Sequence, residues 1–169
     1  MSDNLSEDAE VKQLFVDESL EALQRVEELL LAAEQGRAPA NMVDVMFRDM
    51  HTIKGTAGLL GYEKTASLAH AAEDLMSLLR DKTMKARQAH WALMVEVVDG
   101  LRQFVESTRD LNTEGALDCS RIVAELRRYA ELGDAAPEPT PAAPPAAAAA
   151  PAPAPAEPAP AEAPKPAVE

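Results

Sequence analysis

Apolar residues that return every three or four positions constrain this chain most, because only a helix gathers such residues on one face. The first run holds Val11, Leu14, Phe15, Ala22, Val26, Leu29 and Leu30, and it stops near Gly36. Asn4 or Ser6 is its expected cap. Val43, Met46, Met50, Ile53, Ala57 and Leu60 form a second stripe, with Pro39 just before or at its first turn and Gly61 as its stop. Leu68, Ala72, Leu75, Met76 and Leu79 mark a third helix. Trp91, Met94, Val95, Val98, Leu101 and Val105 mark a fourth, and Cys119, Ile122, Leu126 and Tyr129 a shorter fifth. Met42, Met46, Met50, Met76 and Met94 fall at helical spacing and read as core. No alternating β-branched run and no Asn-Gly or Asp-Gly turn marks a strand. The pattern predicts an all-α fold. It is an antiparallel up-down four-helix bundle with a fifth, C-terminal helix on its end or side.

The pattern ends abruptly. Twelve of the 13 prolines lie between Pro137 and Pro166, and no Leu, Ile or aromatic residue follows Leu132. Such a stretch has little apolar surface to offset chain entropy, so residues 1–134 read as the domain and 135–169 as a disordered, stiff Pro/Ala-rich linker. Of the net charge of −13, the tail supplies four acids and one lysine, which leaves −10 on the domain. That balance argues against nucleic acid or an anionic membrane as partner. The acidic N-terminus is unlike a signal peptide, and no run of about 18 apolar residues exists to span a membrane. The single cysteine, Cys119, excludes an internal disulfide. A cytoplasmic protein is expected.

The second helix carries an anomaly. With Met50 at zero and about 100° per residue, His51 falls near +100°, off the core stripe and turned outward. Lys54, Gly58 and Gly55 share its arc, near about +40°, +80° and +140°. Two glycines in one helix cost about 1–2 kcal/mol relative to alanine. What they provide is access: neighbours one and two turns along would otherwise shade the imidazole. Lys54 sets an ammonium where a phosphoryl group on His51 would carry about two negative charges. A neutral imidazole attacks through its unprotonated nitrogen, so an acceptor on the other nitrogen is needed. Glu73 on the third helix can supply it if that helix packs antiparallel to the second. His70 stands one turn before Glu73 on the same face.

The run His51-Thr52-Ile53-Lys54-Gly55-Thr56-Ala57-Gly58-Leu59-Leu60-Gly61-Tyr62 resembles the phosphorylation motif of histidine phosphotransfer (HPt) domains, nearest to those of the chemotaxis histidine kinase CheA family. Leu68-Ala69-His70-Ala71-Ala72-Glu73-Asp74-Leu75 resembles the paired segment of the same family, and the likeness covers roughly residues 9–130. The resemblance implies that His51 is phosphorylated on Nε2, that Glu73 accepts from its Nδ1 proton, and that Lys54 and His70 flank the phosphoryl group. It implies a CheA-type kinase domain that uses ATP and magnesium, and a response regulator receiver whose aspartate takes the phosphoryl group on. In that family a linker follows this domain. The chain ends there, so it reads as a fragment of a longer kinase or as a partner of a kinase on another chain.

No GxxxxGK[ST] loop, dinucleotide fingerprint or acid pair for magnesium is present, so the chain reads as a phosphoacceptor and carrier without a bound cofactor. Zinc is not expected, because His90 lies in a different segment from His51 and His70 and no cysteine pair assists. His90, beside Trp91, reads as a capping or surface residue. The competing reading is a helical adaptor whose tail is a polyproline ligand, with spacings such as Pro141 and Pro144. Most of those spacings lack a basic anchor.

Overall fold

The computed structural model describes residues 2–111 and 113–135. It contains five helices, α1 (Ser2–Glu34), α2 (Met42–Leu59), α3 (Glu63–Arg80), α4 (Gln88–Leu111) and α5 (Ser120–Leu132), then a 3-10 turn, Gly133–Ala135. Among the described residues there is no strand, and the chain is all-α as the apolar spacing predicts. Contacts divide the chain into one unit of Met1–Pro139 and another of Thr140–Glu169, and all the described helices lie in the first. The expected Pro/Ala-rich linker falls outside the described residues apart from Ala135.

Short connections reverse the chain between helices, and packing closes the ring: α1 lies against α2 and α4, and α3 against α2 and α4. The fifth helix takes the side position, mainly on α3. The core is built from the stripes read in the sequence. Val26, Met46, Met50, Ile53, Leu68, Leu75, Met76, Met94, Leu101 and Leu126 are fully buried, and Leu23, outside the stripes, joins them. At about 25 cal/mol per Å² of apolar surface removed from water, this core is the main force holding the helices together. Gly61 ends α2 at φ +76°, a backbone shape that costs glycine nothing.

Two expectations fail at the start of α1. The helix already runs at Ser2, so neither Asn4 nor Ser6 caps it. No Gly or Pro stands ahead of them to stop a helix. Val11 and Leu14, counted in the stripe, are 51% and 57% exposed, and among residues 9–34 of α1 the first buried ones are Phe15 and Val16.

The start of α3 is closed from a distance. Its N-cap, Tyr62, makes no side-chain capping bond. Instead Glu114, from the α4–α5 connection, accepts from the Thr65 backbone N–H at 2.6 Å, the Thr65 hydroxyl at 2.8 Å and the Lys64 N–H at 3.1 Å. A carboxylate at a helix N-terminus satisfies orphan donors and opposes the positive end of the dipole. Glu114→Ala is expected to lower stability by about 1–2 kcal/mol, read from the midpoint of urea unfolding. An unchanged midpoint would show that the cap contributes nothing.

Candidate functional site

On α2 the core stripe turns inward and carries His51 outward: its side chain is 63% exposed. Gly55 and Gly58 face open space, and a Cβ built on either would meet nothing within 4 Å. The two glycines are therefore not required by close packing. What they leave is a bare approach to the imidazole.

Glu73 comes from α3, as the antiparallel pairing with α2 requires. The His51 Nδ1–H donates to Glu73 Oε1 at 2.9 Å. A carboxylate can accept only from a protonated ring nitrogen, so this bond puts the proton on Nδ1, and in the neutral ring the lone pair is then on Nε2. Lys54 Nζ lies 2.6 Å from the other oxygen, Oε2. The carboxylate is thus shared between the histidine and the lysine, and its residue is 8% exposed. Burial by itself pushes the Glu73 carboxyl up, but hydrogen bonds from Lys54 and His51 and their charges together outweigh it and hold it below the ordinary value.

The other histidines behave differently. His70 is exposed and lies 3.7 Å from Asp74 on its own helix, so its recorded partner is Asp74 and not His51. His90, expected as a capping or surface residue, is fully buried, so the surface alternative fails. Its bond to a backbone N–H at the start of α4 fits the capping one. Its Nδ1 accepts the Arg87 backbone N–H at 3.1 Å, and its ring meets Tyr129 of α5 edge-on at 4.7 Å. The surface reading fails because α5 covers the start of α4, a neighbour that local spacing does not announce. Among the described residues no group of three or more His, Cys, Asp or Glu is placed to hold a metal ion.

Three residues near the site were not singled out in the sequence. Phe47, one turn before His51, lies near-parallel to the imidazole, with ring centroids 6.1 Å apart and planes 18° apart. Arg80, at the end of α3, sets its guanidinium 4.0 Å from the centre of the Phe47 ring. Asp49, 8% exposed, binds Arg25 of α1 at 2.8 Å and so ties α2 to α1 two residues from His51. An aromatic at i−4 from a candidate nucleophile was a readable signal. Arg80 and Arg25 carried none, because their places depend on helix packing. A cavity of about 420 Å³ beside α5, walled in part by Lys64, Phe104, Cys119 and Arg127, includes none of the site residues.

The Glu73 shift gives a pH dependence with a definite sign. A carboxyl held below its unfolded value adds stability above that value and loses it as pH falls through the folded value. The stability difference between wild type and Glu73→Gln is therefore expected to be constant near neutrality and to shrink as pH falls below the ordinary carboxylate range. Urea unfolding of both proteins across that range checks it; a gap that widens in acid would contradict the assignment.

Comparison with known proteins adds an independent line. Residues 10–131 match the Hpt domain family. The chemotaxis protein CheA of Bacillus subtilis is 32% identical over 129 residues, covering 76% of this chain and 19% of that protein. The chemotaxis protein CheA of Treponema pallidum is 34% identical over 140 residues, covering 81% of this chain and 17% of its own length. The chain thus spans about a fifth of the length of the curated relatives it matches. Among solved structures, the phosphorylated P1 domain of CheA3 in complex with CheY6 from R. sphaeroides superposes with a TM-score of 0.66. The two are 29% identical, over 72% of this chain and 96% of that one. No helix among the described residues is long and apolar enough to cross a membrane.

Proposed function

Because the chain belongs to the Hpt domain family, we propose that residues 1–134 are a phosphocarrier of a CheA-like chemotaxis system and that residues 135–169 are its linker. The observation that carries the reading is the exposed His51, donating through Nδ1 to a buried, ionised Glu73 and bare of side chains toward Gly55 and Gly58. That arrangement suits a nucleophile whose donor and acceptor both arrive on other protein surfaces.

In the forward step His51 Nε2 attacks the γ-phosphorus of ATP held, with magnesium, by a CheA-type kinase domain. An N–P bond forms, the bond to the bridging oxygen breaks, and ADP leaves with that electron pair. The imidazole then bears a phosphoryl group on Nε2 and a proton on Nδ1, and the Glu73 carboxylate balances the ring's positive charge. Lys54, already 2.6 Å from Glu73, is the counter-charge for the phosphoryl oxygens. An aspartate oxygen of a response regulator receiver next attacks the phosphorus, and the N–P electron pair returns to Nε2. Most of the catalysis in such steps is positioning and charge stabilisation, which the partners complete. His70 is given at most a supporting role, since it pairs with Asp74. The setting is cytoplasmic, where ATP is available.

Incubation with ATP and a CheA-type kinase domain is expected to place an acid-labile, base-stable phosphoryl label on the wild type. His51→Gln should carry none, and Glu73→Ala should slow labelling by about 10²-fold with the helical spectrum intact. A wild type that stays unlabelled with a competent kinase would sink the reading. Leu59 is 89% exposed and lies about two turns beyond His51 on α2, about 40° around the helix from Gly55 and about 80° from His51. Leu59→Glu is expected to slow transfer to the receiver at least tenfold, by burying a charge in the docked complex. Equal transfer rates would remove this face from the contact.

A further inference from the structure

His51 is tethered at one atom. A hydrogen bond from Nδ1 to Glu73 fixes one point of the ring, yet a side chain this exposed can still swing its plane about that bond. In-line attack through Nε2 needs the plane fixed as well, since small errors of aim are costly. The second constraint is a ring. Phe47 stands one helical turn before His51 and lies almost parallel to it, within the distance range where aromatic pairs attract. Phe47 is only partly buried, so packing alone does not hold it. Arg80 covers it, with the guanidinium 4.0 Å from its centroid. The guanidinium is itself steadied by Asp81, at 3.1 Å.

The spacing makes these contacts a unit. Glu73 and Arg80 are seven residues apart, two turns along one face of α3, and His51 and Phe47 are four apart on α2. One rung, His51 to Glu73, is polar; the other, Phe47 to Arg80, is a cation over a ring. Both cross the same seam and both hold the same imidazole. Resting on the phosphotransfer reading, we propose that Phe47 is a positioning residue for His51. It sets the imidazole plane so that Nδ1 stays on Glu73 and Nε2 faces the incoming phosphoryl group, with Arg80 clamping it in place.

Phe47→Leu keeps apolar bulk and removes the ring, whereas Phe47→Tyr keeps the ring. With a competent kinase, Phe47→Leu is expected to lower kcat for phosphorylation about tenfold at unchanged KM, and Phe47→Tyr to stay within about twofold of wild type. Arg80→Gln should slow the wild type about threefold and add nothing in the Phe47→Leu background, as members of one unit do. The ring can also be read with no kinase present. In the 15N spectrum of the imidazole, wild type should show the Nδ1–H tautomer, and Phe47→Leu should move it toward a mixture. Circular dichroism and thermal unfolding identify a variant that has merely failed to fold, and Phe47→Tyr tests the idea independently of that outcome. Wild-type kinetics and an unchanged tautomer in Phe47→Leu would overturn the proposal, as would an equal loss in the Leu and Tyr variants. If the wild type itself takes no label, the phosphocarrier reading falls, while the tautomer spectrum still judges the role of Phe47.

Discussion

The Glu73 carboxylate is a charge held at a helix seam with little water, and two cationic or proton-donating groups of α2 converge on it. Its removal from water costs free energy that only close partners can offset. His51 and Lys54 are those partners, at 2.9 Å and 2.6 Å, and they outweigh burial sufficiently to keep the carboxyl ionised. One interaction therefore does three things together. It selects a proton position on the imidazole, it ties α2 to α3, and it holds the Lys54 ammonium on the same carboxylate as His51.

That interaction works only if α3 is held in place relative to α2. Much of the remaining structure serves this end. Glu114, in the α4–α5 connection, closes the N-terminus of α3, and α5 packs along α3 with Leu126 and Tyr129 fully buried. Arg25 and Asp49 secure α2 from its other neighbour, α1. Gly100 of α4 permits a close approach to α3 and to the start of α5, since a Cβ there would come within 3.0 Å of Cys119 Sγ and 3.1 Å of Leu68. The exposed histidine thus stands on a rigid platform. Helices tied in this way hold a site more closely than loops do.

How much was readable follows the range of each interaction. The five helices, their order and most of the core follow from period and composition, because helix formation and face burial are local properties of spacing. The stripe overreached at Val11 and Leu14, since spacing marks a face but not whether another helix covers it. The surface reading of His90 fails for the converse reason: α5, distant in sequence, covers it. Phe47, an aromatic beside the core stripe, looks like packing in the sequence. Helix packing sets it against an imidazole one turn along and an arginine across the seam.

By itself the sequence determined that the chain is helical, that its second helix turns His51 outward, and that Lys54, Gly55 and Gly58 share its arc. Each of these follows from about 100° of rotation per residue and needs no partner. Tertiary structure decided the rest: that Glu73 meets Nδ1, that Lys54 rests on the same carboxylate, that His70 turns to Asp74, and that Arg80 lies over Phe47. Those contacts join residues nineteen or more positions apart, or choose among local partners. Their distances depend on how two helices are set against each other, which no periodicity in one chain segment specifies.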